Sequence, residues 1–211
     1  MKRKPLFITF EGGEGSGKST QLELFYNWFI KCYGKAILTR EPGGEHYAEK
    51  IRAILLEHED QRFPMYPQTE LFLFEAARVQ HLRNIVMPAL ADGKSALCDR
   101  FADSTTAYQG YGSEMSLKDI EAINRIATRG ITPDATFLLD VTPELGLMRT
   151  LSREQQNRID IKDIDFHKRV RRGYLEIAKS NPKRIIIVNA NNELEEVQKE
   201  IKEKFAERFL K

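Results

Sequence analysis

The stretch FEGGEGSGKST, Phe10 to Thr20, constrains this chain more than any other. Gly12, Gly17, Lys18 and Ser19 satisfy G-x-x-x-x-G-K-[ST], after an apolar run, LFITF (6–10), and ahead of a helical stripe. Glycines let consecutive backbone N–H groups turn inward and form a nest for phosphate oxygens. The helix that follows adds the positive end of its dipole. Lys18 supplies a point charge for the outer phosphates, and the Ser19 hydroxyl is a magnesium ligand. Chance matches arise on the order of once per hundred chains of this length. The loop therefore implies a strand–loop–helix unit that binds a nucleoside triphosphate, and leaves the reaction open.

The rest of the chain repeats the same alternation. Apolar runs at 6–10, 35–39, 95–99, 135–141 and 184–190 predict five strands covered on both faces. Helices are predicted over 19–32, 45–57, 68–91, 116–128, 143–153, 165–179 and 193–210, with Pro88 placed to kink the third. Leu22, Phe25, Trp28, Phe29 and Cys32 share one stripe of the first helix; Leu71, Phe74, Leu82, Ile85 and Leu90 share one in the third. Strands alternating with helices give an α/β fold: a P-loop NTPase-type parallel five-stranded sheet flanked by helices on both faces. No linker divides the chain, so residues 1–211 read as one domain.

Composition excludes several classes. A net charge of +2 gives no field suited to nucleic acid. No apolar stretch has the length of a membrane span, and the basic then apolar N-terminus is too short for a secretion signal. Cys32 and Cys98 lack metal-type spacing and read as buried free thiols, which places the chain in the cytoplasm.

Further candidates lie outside the glycine loop. Asp99 ends the run SALCD, where a strand-end carboxylate joins Ser19 in holding magnesium. Phe74 and Arg78 are four residues apart on one helix face, an aromatic ring beside a guanidinium, which suits a planar base. Taken alone they read better as a core ring and a surface charge. Residues 150–166 are dense in charge, either a solvated connection or a lid.

TREPGG (39–44), DR…AYQG (99–110), PDATFLLDVTPELG (133–146) and NRID (157–160), together with the glycine loop, resemble the thymidylate kinases over nearly the whole chain. The resemblance is to the bacterial type, whose lid supplies arginines. It implies transfer of the ATP γ-phosphoryl group to dTMP, giving dTDP, with Mg²⁺ as cofactor and a homodimer as the assembly. It assigns ATP to Gly12, Gly13, Glu14, Gly15, Ser16, Gly17, Lys18, Ser19, Thr20 and Arg149, the last stacked on adenine and bordered by 189–191. It assigns the acceptor phosphate to Arg52 and Arg100, and the turn beneath it to Glu41 and Pro42, a proline often cis in the family. Thymine falls to Phe74, Arg78, Thr105 and Gln109, and the deoxyribose to Tyr108 and Glu14, the latter at the 3′-hydroxyl. A mobile lid at about 149–164 carries Arg153 and Arg158 over the transferring group, the second favoured within NRID. Lys18, Arg100, Arg153 and Arg158 are then the catalytic set.

Two other readings compete. A deoxynucleoside kinase needs a carboxylate base at a hydroxyl acceptor, a part Glu41 could play, but has less use for Arg52 and Arg100. A guanine-nucleotide switch reads its base with N-K-x-D, a string absent here.

Overall fold

The structure is a computed structural model and describes residues 3–57, 62–151 and 158–210. The five apolar runs form strands β1 (Phe7–Glu11), β2 (Ala36–Arg40), β3 (Ser95–Asp99), β4 (Ala135–Asp140) and β5 (Ile185–Asn189). Among the described residues they make one sheet in the order β2-β3-β1-β4-β5, with every pair parallel. The three inner strands are buried nearly throughout, which explains their lack of alternation; β2 and β5 form the edges and are partly exposed.

The helices are α1 (Lys18–Cys32), α2 (His46–Leu56), α3 (Pro67–His81), α4 (Met87–Ala91), α5 (Ala102–Thr105), α6 (Leu117–Thr128), α7 (Pro143–Leu151), α8 (Ile164–Ser180) and α9 (Leu194–Phe209). Leu22, Phe25 and Phe29 of α1 and Val197, Ile201 and Phe205 of α9 cover Ile8, Phe10, Phe137 and Leu139 on one face. On the other face Leu82, Val86 and Phe101 meet Phe7, Ala96 and Cys98. Val170, Tyr174 and Ile177 of α8 pack there on Leu138 and Ile185.

Three expectations need correction. The helix predicted over 68–91 is interrupted: a π-helical turn, Leu82–Val86, separates α3 from α4. Pro88 has no N–H and its ring would strike the carbonyl four residues back, so the wider turn ahead of it absorbs the mismatch. A helical segment not predicted at all, α5 and its π-helical continuation Thr106–Gly112, follows β3. Its threonines and glycines are poor helix formers, but its glycines permit close contact with α8. A Cβ on Gly112 would lie 2.8 Å from Phe166 and Val170, and one on Gly173 of α8 would lie 2.7 Å from Tyr111. Thirdly, Cys98 is buried as expected, whereas Cys32, the last residue of α1, is partly exposed; both are free thiols.

Parallel register determines what meets at the carboxyl edge. Asp99 pairs with Phe10 of β1 and with Arg40 of β2. The glycine loop, Asp99-Arg100 and Arg40-Glu41 therefore leave three neighbouring strands side by side. Phe205 ties the helical layer beneath that edge, with ring centroids 5.3 Å from Phe25 and 5.4 Å from Phe29. Phe205→Ala is expected to lower the unfolding free energy by about 3–5 kcal/mol, read by chemical denaturation. A loss near zero would mean that this aromatic cluster does not anchor α9.

Candidate active site

The loop after β1 has the conformation that its glycines allow. Gly12, Gly15 and Gly17 take φ values of 147°, 66° and 78°, and Gly17 leads directly into α1. Lys18 curls back over the loop, its Nζ donating to the Gly13 carbonyl at 2.8 Å and to Ser16 Oγ at 3.2 Å. Burial first, and then Arg100, bring the Lys18 amine down from 10.5 to about 8. An incoming polyphosphate would push it up again. Ser19 Oγ donates to Asp99 Oδ2 at 2.5 Å, so the two expected magnesium ligands stand together. Hard oxygen donors suit Mg²⁺, which takes few protein ligands and completes its shell from phosphates and water.

α7 braces the loop from behind. A Cβ on Gly146 would lie 2.3 Å from the Glu14 carbonyl, and one on Gly15 2.0 Å from the Gly146 carbonyl. This contact, which sequence reasoning passed over, requires glycine on both sides. One turn further on, Arg149 Nη1 donates to the Ala190 carbonyl at 2.9 Å. The 189–191 segment is thereby drawn to the loop, as the adenine expectation requires.

A cleft of about 280 Å³ runs from the loop toward α3 and the segment after β3. It is lined by Glu14 through Thr20, Glu41, Pro42, Arg52, Phe74, Arg78, Asp99, Arg100, Thr105, Tyr108 and Gln109. Nearly all the candidate residues thus share one space. Gly12, Gly13, Arg149 and Arg158 are not among its lining residues. Arg40, Leu56, Ser104 and Ile159 line it too and were not singled out; Arg40, Ser104 and Ile159 fall within the quoted motifs, whereas Leu56 lies outside them and carries no polar signal.

Arg100 lies where the two ends meet. Its backbone is left-handed at φ 69°. Nη2 donates to Glu14 at 2.6 Å and Tyr108 Oη at 3.1 Å, and Nη1 reaches the Gly12 carbonyl at 3.3 Å. Burial opposes the charge of Arg100, but Tyr108 and Glu14 hold its pKa well above the ordinary arginine value. Arg52 donates to the Pro42 carbonyl at 2.8 Å, across a Glu41–Pro42 bond that is cis. Burial, and then Arg40, push the Arg52 guanidinium down.

At the far end Arg78 is 2 % exposed and is held by carboxylates on two sides. Nε donates to Glu41 at 2.7 Å; Nη1 donates to Glu75 and, at 2.9 Å, to Thr105; Nη2 donates to the Phe101 carbonyl at 3.1 Å. One Nη2 proton remains for a ligand. Glu41 also pairs with His81 Nδ1 at 2.8 Å, and burial, which raises its pKa, is outweighed by Arg78 and His81, so the carboxyl lies below the usual range. The Phe74 ring, one turn before Arg78, remains partly open to the cleft.

Two lid expectations fare differently. Arg153 lies outside the described residues. Arg158 is described but is not brought to the glycine loop: Nη1 pairs with Glu70 at 2.5 Å and Nε donates to the Leu55 carbonyl at 3.3 Å. Glu70 is buried, and a buried carboxylate needs a cation. Gln109, expected at the base, donates to the same Glu70 at 2.6 Å.

A parallel sheet of this order, a triphosphate-type loop after its central strand and an arginine-lined cleft for a second anion define a P-loop kinase of small phosphorylated acceptors. The family model described as Thymidylate kinase matches residues 10–201, and the chain belongs to that family. It is 40% identical over 200 residues to a thymidylate kinase of Kosmotoga olearia, covering 95% of each chain. A thymidylate kinase of Bacillus thuringiensis is 43% identical over 209 residues, 98% of this chain and 100% of that one. The crystal structure of thymidylate kinase from Ehrlichia chaffeensis superposes with a TM-score of 0.78 at 34% identity, covering 96% of this chain and 99% of that one.

Gly146→Ala should force α7 off the loop, raising KM for ATP and costing about 1–3 kcal/mol of stability. Steady-state kinetics and thermal unfolding read both effects. An unchanged KM for ATP would show that the loop does not depend on this contact.

Proposed function

We propose that the chain transfers the γ-phosphoryl group of ATP to dTMP, giving dTDP and ADP, with the two nucleotides meeting phosphate to phosphate at Arg100. The observation that carries this reading is the single cleft joining the glycine loop to the arginine- and aromatic-lined pocket. An acceptor that is already an oxyanion needs no strong base, only positioning and charge neutralisation. The cleft offers that: Lys18, Arg52, Arg78 and Arg100 line it, and His81 of α3 is engaged by Glu41.

In this assignment the amides of Gly12–Thr20 and Lys18 hold the ATP phosphates, and Arg149 with 189–191 borders adenine. Ser19 and Asp99 would hold Mg²⁺, which supplies charge neutralisation at the phosphates when bound. Arg52 and Arg100 clamp the acceptor phosphate. Phe74 stacks on thymine while the remaining Arg78 proton meets a base oxygen; Thr105 and Gln109 help to hold the base edge. Tyr108 packs on the deoxyribose, and Glu14 accepts from the 3′-hydroxyl. Residues 149–164 act as the lid, with Arg153 and Arg158 as its cations. Among the described residues no helix is long and apolar enough to cross a membrane. A homodimer in the cytoplasm completes the reading, and sedimentation of the purified chain tests its assembly.

Two experiments test the assignment. A coupled ADP-release assay over thymidine, dTMP and the other monophosphates should give turnover with dTMP, whereas preference for thymidine would overturn it. Phe74→Ala should raise KM for dTMP about tenfold, the worth of one base–aromatic stack, and leave KM for ATP within about twofold. A rise confined to ATP would remove Phe74 from the base.

A further inference from the structure

Glu11, the last residue of β1, is fully buried and takes no part in the assignments above. Its Oε1 accepts from the Phe101 N–H at 2.7 Å. Its Oε2 stands 2.6 Å from Ser104 Oγ and 3.0 Å from Tyr174 Oη, and those two hydroxyls are 2.8 Å from each other. The three oxygens form a closed triangle whose every edge is a hydrogen-bond length.

Counting protons identifies the state of the carboxyl. Two hydroxyls provide two protons for three edges, so an ionised Glu11 would leave one edge with lone pair against lone pair. A proton on Oε2 completes the ring: the acid donates to one hydroxyl, that hydroxyl to the second, and the second back to Oε2. Each hydroxyl then keeps an outward lone pair, and both face Arg100, whose Nη1 lies 3.2 Å from Ser104 Oγ and 3.3 Å from Tyr174 Oη.

We propose that Glu11 is a positioning residue for the acceptor-phosphate clamp, a neutral carboxylic acid that closes a ring with Ser104 and Tyr174 and thereby aims the Arg100 guanidinium. The proposal rests on the assignment of Arg100 to the acceptor phosphate. Neutrality is functionally required. Arg100 already faces one carboxylate, Glu14, and a second anion behind it would compete with the substrate phosphate for its charge. The same carboxyl secures the left-handed turn at Arg100 through its bond to the next residue's N–H. Asp103 lies close and, after burial, raises the Glu11 pKa to about 7, against the opposing pull of Arg100. Lys18 from α1, Arg184 ahead of β5, Tyr174 from α8 and the Cys98 thiol of β3 are the other titratable groups facing it.

Infrared difference spectroscopy of the free enzyme at about pH 6, below the Glu11 pKa of about 7, wild type minus Glu11→Gln, should contain the C=O stretch of a protonated carboxyl. An ionised carboxylate band in its place overturns the proposal. Kinetically, Tyr174→Phe and Glu11→Ala should each raise KM for dTMP about fivefold to tenfold, the loss of one charge-assisted hydrogen bond, with KM for ATP within about twofold. Glu11→Gln, which keeps a neutral donor and acceptor, should recover most of that loss. Tyr174→Phe removes one hydroxyl from a folded core and guards against misfolding of Glu11→Ala. An unchanged KM for dTMP in Tyr174→Phe, while Arg100→Ala raises it, overturns the positioning role alone. An unchanged KM in Arg100→Ala would instead overturn the acceptor-clamp assignment.

Discussion

The cleft depends on one guanidinium held in an unusual place. Arg100 follows a strand in parallel register with β1, so it emerges beside the glycine loop and touches its first carbonyl. A non-glycine residue in the left-handed region costs of order 1–3 kcal/mol, and the surroundings must over-determine it. They do so here through the Arg100 N–H to the Phe10 carbonyl at 2.9 Å, the Phe101 N–H to Glu11, and the guanidinium to Glu14, Tyr108, Ser104 and Tyr174. Those partners come from β1, the loop, the helical segment after β3, and α8. The glycine loop, the segment after β3 and α8 therefore share one charged group.

The second constraint is the buried charge at the base end. Arg78, Glu41, Glu75 and His81 are all buried, and Glu41 links α3 to the edge of the sheet. A buried ion pair gains little net stability, yet removing one partner strands the others at a cost of several kcal/mol. The arrangement makes the pocket rigid, with Arg78 reduced to one available donor. A base that meets that proton is selected by geometry already in place.

The sequence made the glycine loop legible because few residues can form it: inward amides demand Gly12, Gly15 and Gly17, and helix and dipole must follow. Asp99 was legible from its position at a strand end. The acceptor residues became legible only through family resemblance, because Phe74 and Arg78 taken singly read as core and surface. Three features escaped, each for a physical reason. The 102–112 segment is helical through its contact with α8, against its own propensity. Gly146 looks like an ordinary weak point in a helix until it is seen that a Cβ there would lie 2.3 Å from the Glu14 carbonyl. Arg158 was expected over the phosphates but is neutralised by Glu70, a buried carboxylate 88 positions earlier whose need for a cation no local pattern announces.

A crystal structure with dTMP and a non-hydrolysable ATP analogue tests the central claim most directly. The account predicts the acceptor phosphate seated between Arg52 and Arg100, in line with the terminal phosphate above Lys18, and Phe74 against the thymine ring. A dTMP molecule bound with Arg100 still turned to Glu14 and away from its phosphate would contradict it.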